Sequence, residues 1–204
     1  MPSPDPFALL AAPATTVAPL LLGAVLSVES AEDRVAVRLT EVEAYLGVGE
    51  DPGSHAHRRE GPKNRVMFGP PGHLYAYRTY GLHTCVNVVT SPPGSASAVL
   101  LRAGEIVEGE AVARLRRRWD GGAAQLARGP ARLAVALGLT MDDNGADLAS
   151  SRVRLTFAAP LAGIASGPRT GVSGPGGGSD YPWRFWIPGD PTVLPYKAHL
   201  DHRG

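Results

Sequence analysis

The sequence predicts an α+β fold: a single mixed domain with a curved, largely antiparallel sheet, flanking helices and a protruding β-hairpin. Three observations lead to this prediction. Short runs of β-forming residues alternate with Gly- and Pro-rich turns along most of the 204 residues. Two segments have helical start and stop signals. Neither internal repeats nor a linker divides the chain, and an apolar content of 44% is ordinary for one packed domain.

The N-terminal half is predicted element by element from turn signals and apolar periodicity. Residues 1–16 are proline-rich and are predicted to form a flexible or loosely docked N-terminal arm, with residues 17–204 forming the domain. Leu20–Ser27 begins a strand or ends a helix. Val35–Glu43 alternates apolar and polar side chains, which indicates a strand with one buried face. Residues 46–63 form a long Gly-, Pro- and charge-rich loop, and loops of that kind are usually functional or mobile.

A β-hairpin is predicted after the turn at Pro70–Gly72. Its strands are Leu74–Tyr80 and Thr84–Thr90, both rich in β-forming residues. Ser91–Ser97 is a further turn, and the apolar run Ala98–Ala103 predicts a buried strand. The chemistry of this hairpin is distinctive because three of the six tyrosines of the chain lie on it.

The C-terminal half is predicted to hold two helices, two strands and one loop. Gly109–Trp119 is a helix with a basic end, and Pro130–Leu139 is a helix opened by proline. Val153–Phe157 and Trp183–Ile187 are short strands. The glycine-rich segment Gly163–Ser179 between them predicts a flexible surface loop.

Composition narrows the classes of function. The single cysteine, Cys85, excludes an intramolecular disulfide framework and a thiolate zinc cluster, and it fits a reducing compartment. The formal charge of +1 means that any nucleic-acid role must depend on a local basic face. The N-terminus lacks a basic signal-peptide region, and no run reaches the roughly 18 to 20 apolar residues of a membrane span. We therefore expect a cytoplasmic protein that does not contact a membrane.

Several residue types between positions 41 and 105 could carry chemistry. Glu43 ends the first clear strand, where a carboxylate is either solvated or catalytic. The hairpin tyrosines either brace a core or present π-faces for stacking. His55 and His57 have the spacing of a metal pair, but no HExxH motif or cysteine partner accompanies them, so we expect no metal. Basic residues lie in the preceding loop, and they are either solvated or suited to phosphates: His57, Arg58, Arg59, Lys63 and Arg65.

These motifs resemble the alkyladenine, or 3-methyladenine, DNA glycosylase family. The likeness runs from about Leu20 to the C-terminus. It consists of seven words in order: E-V-E-A-Y-L-G (Glu41–Gly47), S-H-A-H (Ser54–His57), P-K-N-R-V-M-F-G-P-P-G-H-L-Y-A-Y-R-T-Y-G-L-H-T-C-V-N-V-V (Pro62–Val89), A-V-L-L-R-A (Ala98–Ala103), R-G-P-A-R-L (Arg128–Leu133), P-R-T-G-V (Pro168–Val172) and P-W-R-F (Pro182–Phe185).

The resemblance implies roles for the catalytic centre. Glu43 matches the general base that activates water and stabilises the oxocarbenium-like charge on the sugar. Arg102 matches the residue that helps to place this water and the sugar-phosphate. Tyr45 and Tyr77 match the aromatic pair that sandwiches the flipped base, with His55 packing and hydrogen bonding beside them.

The resemblance also implies roles around the pocket and on the DNA. Asn87 matches the residue that obstructs the exocyclic amino group of guanine, and Val172 lines the pocket or offers a backbone contact. Tyr80 matches the wedge that fills the gap left in the duplex. Contacts to the DNA backbone are expected from three residues of the basic loop: Lys63, Asn64 and Arg65.

The expected activity is excision of alkylated or deaminated purines from double-stranded DNA by a monomer that uses neither a metal nor an organic cofactor. The only lysines, Lys63 and Lys197, match no family nucleophile, so we expect an abasic product without strand cleavage. A damaged-DNA binding module without catalysis is the alternative. A hydrolase of free nucleosides and a structural RNA-contacting protein are further alternatives, and the range of lesions stays open.

Overall fold

A computed structural model describes residues 5–197, and within that range nine strands form one antiparallel sheet that is not closed. The main strand order is β3-β4-β5-β2-β1-β7, with β6 paired to β5, β9 to β2, and β8 to β9. The expected α+β class is confirmed. The strands are β1 (Val25–Glu29), β2 (Arg34–Tyr45), β3 (Leu74–Thr79), β4 (His83–Val89), β5 (Ala98–Glu108), β6 (Ala127–Arg128), β7 (Val153–Thr156), β8 (Ala165–Gly167) and β9 (Arg184–Trp186).

The two longest strands, β2 and β5, form the centre of the sheet. Their pairing shifts register near Glu41, where a bulge increases the local twist. The sequence predicted one buried face for β2, and this is wrong, because only Arg34, Arg38 and Tyr45 keep appreciable exposure. Helices pack against the strand, and the chain after β8 covers its end at Ala44, so both faces are buried.

Three short α-helices lie against the sheet: α1 (Ala14–Val17), α2 (Glu110–Arg117) and α3 (Pro130–Leu137). Proline begins α3 because its missing N–H is not needed there, and Gly138 ends the helix with a φ of 69°. Both predicted helices are confirmed, each two residues shorter at its C-terminal end. None of the helices in the described part of the chain is long and apolar enough to cross a membrane.

The predicted hairpin is formed by β3 and β4, which protrude at the edge of the sheet. The Leu82 N–H donates to the Thr79 carbonyl over 3.1 Å and closes the turn. The two residues inside the turn, Tyr80 and Gly81, have φ values of 50° and 69°. Positive φ at both central positions is typical of the tight turns that match strand twist. Glycine takes that conformation freely, whereas a tyrosine there is strained.

The N-terminal segment differs from the predicted arm. Pro6–Ala11 is a 3-10 helix followed by α1, and the side chains of Leu10 and Ala14 are fully buried in the main core. The Ser91 N–H donates to the Leu10 carbonyl, and the Ser97 hydroxyl accepts from the Ala14 N–H. Residues 5–16 are therefore docked, because their apolar side chains complete the core. Residues 1–4 of the expected arm lie outside the described residues.

The glycine-rich segment is also more ordered than the sequence predicted. It contains β8, and both Arg169 and Gly176 are buried. A Cβ on Gly177 would lie 2.0 Å from the Val172 carbonyl oxygen, and a Cβ on Gly176 would lie 2.4 Å from the Gly53 nitrogen. Gly176 and Gly177 thus serve close backbone packing, although most of the segment lies at the surface as predicted.

The docked N-terminal segment gives a stability prediction. We expect Leu10→Ala to lower the free energy of unfolding by about 2 to 5 kcal/mol, because the change leaves a cavity in the core. Leu115→Ala on the exposed side of α2 is the matched control and should change it by less than about 0.5 kcal/mol. Urea unfolding followed by circular dichroism measures both. Equal effects of the two variants would contradict docking of the segment.

Candidate active site

The register of the sheet brings the predicted residues Glu43 and Asn87 onto a single face. Tyr75 on β3 faces Asn87 on β4, Asn87 faces Leu100 on β5, and Leu100 faces Glu43 on β2. Directly opposed residues of antiparallel strands point to the same side. Side chains from positions 43 to 100 of the sequence are therefore neighbours on this face.

Side chains two positions along the same strands share that face, because strand side chains alternate. They include Tyr77 and Cys85, which oppose each other, together with Arg102 and Tyr45. Between them and the covering loops lies a pocket of about 440 Å³, within the range of small-molecule sites. Its walls contain all but one of the predicted catalytic and substrate-binding residues: Tyr45, His55, Tyr77, Asn87, Arg102 and Val172.

Glu43 is the exception, since it lies directly behind the pocket wall. The side chain is fully buried and its carboxylate is covered by three groups that do line the pocket. The Tyr45 hydroxyl donates to Oε2 over 2.8 Å, and the Thr170 N–H donates to Oε1 over 2.7 Å. The Arg102 Nη1 lies 3.4 Å from Oε1. The carboxylate is thus held by hydrogen bonds and charge in a fixed orientation.

Arg102 is fixed by a second buried carboxylate. Its Nε donates to Glu41 Oε1 over 2.9 Å, and the same oxygen accepts from the Arg184 Nε over 2.7 Å. The Leu194 N–H donates to the other oxygen of Glu41 over 2.9 Å. Burial alone would lower the pKa of Arg102, but the carboxylates of Glu43 and Glu41 outweigh it and raise the pKa. The guanidinium therefore stays charged at the pocket wall.

Aromatic rings form the opposite wall of the pocket. Tyr75 and Tyr77 stack with centroids 5.7 Å apart, and the ring of His55 meets Tyr77 edge-on at 4.6 Å. The Nδ1 of His55 lies 3.2 Å from the Tyr75 hydroxyl. The loop that carries His55 is held by Ala56 and Met67, which are buried against Tyr75 in a small apolar cluster. The predicted long loop is therefore anchored beside the pocket.

The polar groups of the pocket walls are held in their neutral forms. Burial raises the pKa of Tyr75 to about 12, and it lowers the pKa of His55 below 6.5. Burial, followed by Glu43, raises the pKa of Tyr45 well above 10, so its hydroxyl stays a donor to the carboxylate. Burial raises the pKa of Tyr77 and of the Cys85 thiol in the same direction. At pH 7 Arg102 is therefore the charged side chain of the wall.

The expected DNA-contacting residues fall into two groups. Lys63 and Arg65 are exposed beside the pocket, and Arg65 lies 3.4 Å from Glu60. Asn64 is buried, contrary to its expected role, because its amide bonds within its own loop. It donates to the carbonyls of His55 and Arg59 and accepts from the Gly61 N–H. The Asn64 side chain thus shapes the loop instead of facing solvent.

The tip of the hairpin presents two apolar side chains to solvent. Tyr80 is 90% exposed and Leu82 is 80% exposed, the two highest values among the large exposed apolar side chains of the described residues. Tyr80 also lies at the rim of the pocket. The sequence predicted the exposed tyrosine, whereas Leu82 was not predicted.

Within residues 5–197 no group of three or more His, Cys, Asp or Glu side chains is arranged to hold an ion. His55 instead contacts Tyr75 and Tyr77, and the buried Nδ1 of His57 has no hydrogen-bond partner.

Four residues of the site were missed by the sequence analysis: Glu41, Asp51, Arg169 and Thr170. Glu41 has a local signal, because it lies two positions before Glu43 on one strand and so shares its face. Asp51 and Arg169 form a fully buried ion pair with two 2.6 Å contacts across 118 positions of sequence. Such a separation leaves no local pattern to detect.

Comparisons with known proteins agree on one family. A model of the methylpurine-DNA glycosylase family matches residues 8–191. Three relatives carry the description "Putative 3-methyladenine DNA glycosylase". The one from Leifsonia xyli subsp. xyli is 57% identical over 192 residues, 92% of this chain and 90% of the relative. Those from Streptomyces avermitilis and Nocardia farcinica are 50% and 51% identical, over 95% and 89% of this chain and 92% and 86% of the relatives.

The carboxylate of Glu41 gives a second stability prediction. We expect Glu41→Gln to lower the free energy of unfolding by about 3 to 5 kcal/mol, because it leaves two buried guanidinium groups without that charge. Glu105→Gln is the matched control: Glu105 pairs with Arg38 at the surface, and such pairs contribute about 0 to 1 kcal/mol. Urea unfolding measures both. A loss no larger than that of the control would show that Glu41 is not the anchor of the arginines.

Proposed function

The chain belongs to the methylpurine-DNA glycosylase family, and we propose that it is a monofunctional enzyme that flips alkylated or deaminated purines out of duplex DNA and hydrolyses their N-glycosidic bond. The observation that carries this proposal is the Glu43 carboxylate, which lies directly behind the wall of an aromatic pocket and is paired with Arg102 in that wall. The proposed enzyme acts as a monomer on double-stranded DNA and leaves an abasic site. The cytoplasmic location expected from the sequence gives it access to DNA.

The proposed reaction uses Glu43 as its base. A water oxygen bonds to the anomeric carbon of the sugar, and Glu43 accepts a proton from that water. The carbon–nitrogen bond breaks, and its electron pair leaves with the purine. The buried carboxylate also stabilises the positive charge that develops on the sugar, which requires proximity rather than contact. An alkylated base that carries a positive charge leaves as a neutral molecule, so a modest catalyst is sufficient.

Arg102 and Tyr45 support this step from the pocket wall. Both line the pocket and contact the Glu43 carboxylate, so a small displacement of the Tyr45 hydroxyl would expose that carboxylate to water. Arg102 is held by Glu41 and stays charged, which suits it to placing the water and the sugar-phosphate.

The proposed recognition of the base uses the aromatic walls. Tyr45 and Tyr77 stack on the flipped purine with His55 beside them, and cationic alkylated bases are favoured because their charge attracts the π-faces. Asn87 is buried with its amide N–H donating to the Tyr75 carbonyl over 3.0 Å. A side chain fixed in this way can obstruct the amino group of guanine.

The proposed contact with the duplex uses the hairpin tip and the basic loop. Tyr80 fills the gap left by the flipped nucleotide, and the exposed Leu82 adds apolar surface next to it. Lys63 and Arg65, both exposed, contribute charge for the phosphates. Neither Lys63 nor Lys197 lines the pocket, which supports a product without strand cleavage, since lyase chemistry needs an amine nucleophile.

A damaged-DNA binding module without catalysis is the second candidate. One observation favours it: the Glu43 carboxylate is fully covered and does not itself line the pocket. The buried charges argue for the enzyme instead, because a stacking pocket for a purine does not need an ionised carboxylate behind it.

The base assignment is tested with a labelled duplex that contains one hypoxanthine. We expect the wild type to release the base, so that the strand breaks only after alkali treatment and borohydride traps no covalent product. Glu43→Gln should lower the excision rate by about 10² to 10⁴-fold, because general base catalysis contributes that much. Glu105→Gln is the matched control and should excise at the wild-type rate.

The outcomes of this assay separate the candidates. A duplex methylated with a simple alkylating agent is tested in parallel. If the wild type excises from neither duplex yet binds them better than undamaged DNA, the binding module replaces the enzyme. Excision that survives Glu43→Gln would show that another group is the base.

The wedge assignment separates a DNA enzyme from a hydrolase of free nucleosides. We expect Tyr80→Ala to lower excision from the duplex by about 10 to 100-fold, because the inserted ring offsets an unstacking cost of about a few kcal/mol. Leu115→Ala, at another exposed apolar position on α2, is the control and should have no effect. The same variants are assayed with free inosine, and a wild-type activity on inosine that Tyr80→Ala leaves intact would favour the nucleoside hydrolase.

A further inference from the structure

Arg169 is a fully buried arginine that joins three segments of the chain. Its Nη1 and Nη2 each lie 2.6 Å from an oxygen of Asp51, which fixes the loop after β2. The Nη1 also donates to the Ala44 carbonyl over 3.0 Å, and the Nη2 to the Gly176 carbonyl over 2.7 Å. Ala44 lies between Glu43 and Tyr45, so the guanidinium is hydrogen-bonded to the backbone between these two residues.

The same guanidinium supports the ring of Tyr45. The central carbon of the Arg169 guanidinium lies 4.5 Å from the centroid of that ring and 5.2 Å from the centroid of Trp183. Tyr45 lines the pocket, whereas Arg169 is buried and does not. The cation therefore stacks behind the ring and leaves the pocket side free for a base.

The residue after Arg169 contacts the Glu43 carboxylate. The Thr170 N–H donates to Glu43 Oε1 over 2.7 Å, and Val172 two positions later lines the pocket. Arg169 and Val172 also pack closely against the loop after β2, because a Cβ on Gly53 would lie 2.6 Å from Val172 and 2.7 Å from the Arg169 guanidinium. A displacement of Arg169 would thus move Tyr45 and the donor to Glu43 together.

We propose that Arg169, held by Asp51, is a positioning residue that sets the Tyr45 ring and the Glu43 carboxylate in their working arrangement. This inference rests on the proposed glycosylase function. A buried ion pair is a weak source of net stability, but the planar guanidinium fixes geometry because two of its N–H groups engage one carboxylate. Because Arg169 lies behind Tyr45 and Glu43, its fixed geometry is passed on to the residues that are proposed to bind the base and to activate the water.

The test measures single-turnover excision from the hypoxanthine duplex with saturating enzyme, alongside the dissociation constant for that duplex. Arg169→Met removes both the charge and the paired N–H groups of the guanidinium. Arg169→Lys keeps the charge without the paired N–H groups, and Asp51→Asn keeps the shape of the partner without its charge. We expect the rate constant to fall by about 100-fold in Arg169→Met, since displacement by about 1 Å has that effect. The rate constants of the other two variants should lie between those of Arg169→Met and the wild type, and the dissociation constant should change much less than the rate constant.

Two controls separate positioning from loss of stability. Arg152→Met removes a second two-contact pair with an aspartate, Asp143, outside the pocket. Val28→Ala destabilises the core on β1 at the end far from Glu43. Because the enzyme is in excess over the duplex, unfolding of part of the sample lowers only the concentration of active enzyme and leaves the rate constant at saturation unchanged. Both controls should therefore keep the wild-type rate constant.

Each outcome decides the inference. A lower rate constant in Asp51→Asn and in Arg169→Lys supports the positioning role. The double variant Asp51→Asn/Arg169→Met should then have the same rate constant as Arg169→Met alone, because the two residues act as one unit. Wild-type rate constants at saturation in Asp51→Asn and Arg169→Lys overturn the positioning role while the proposed function stands. These two milder variants keep the test valid if Arg169→Met does not fold. Failure of the wild type to excise from both hypoxanthine and methylated duplexes overturns the proposed function and this inference with it.

Discussion

Charge buried without partners is strongly unfavourable, and this constraint organises the centre of the molecule. Glu41 and Glu43 lie on β2 beneath the covering loops, and each meets Arg102 from β5, while Glu41 also meets Arg184 from β9. The backbone N–H groups of Thr170 and Leu194 complete the two carboxylates. Three strands and two loops must therefore take up their final positions together. If one of them were displaced, a charged side chain would be left without its partner in the interior.

Local patterns predicted the elements that local physics determines. The hairpin followed from turn residues and β-forming runs, and its observed strands agree with the prediction to within one residue at each end. Proline marked the start of α3 correctly, whereas the predicted end at Leu139 was two residues too late, because the helix ends before Gly138. Burial of both faces of β2 was not predictable, because it depends on elements distant in sequence. The N-terminal segment was misjudged for the same reason: its prolines indicated a flexible or loosely docked arm, while its partners include Ser91 and Ser97, which are distant in sequence.

The candidate site divides along the same line. Glu43, Tyr45, Tyr77 and Arg102 were found through a resemblance, and the strand register then explains why they meet. The contacts that hold them were not found, since Arg169 reaches Asp51 across 118 positions and Arg184 reaches Glu41 across 143. The glycine run that suggested mobility instead allows backbones to approach closely. Sequence patterns thus revealed the groups that face the pocket better than those that support them.

The turn at the hairpin tip has a consequence for how the protein would respond to selection for stability. Tyr80 holds a positive φ that asparagine or glycine would adopt with less strain, and Tyr80→Asn would create the Asn-Gly pair favoured in such turns. Because Tyr80 is the wedge in the proposed function, a search for thermostable variants should enrich changes at this position and produce well-folded proteins with low excision activity. Under that proposal, folding and function place opposite demands on one residue.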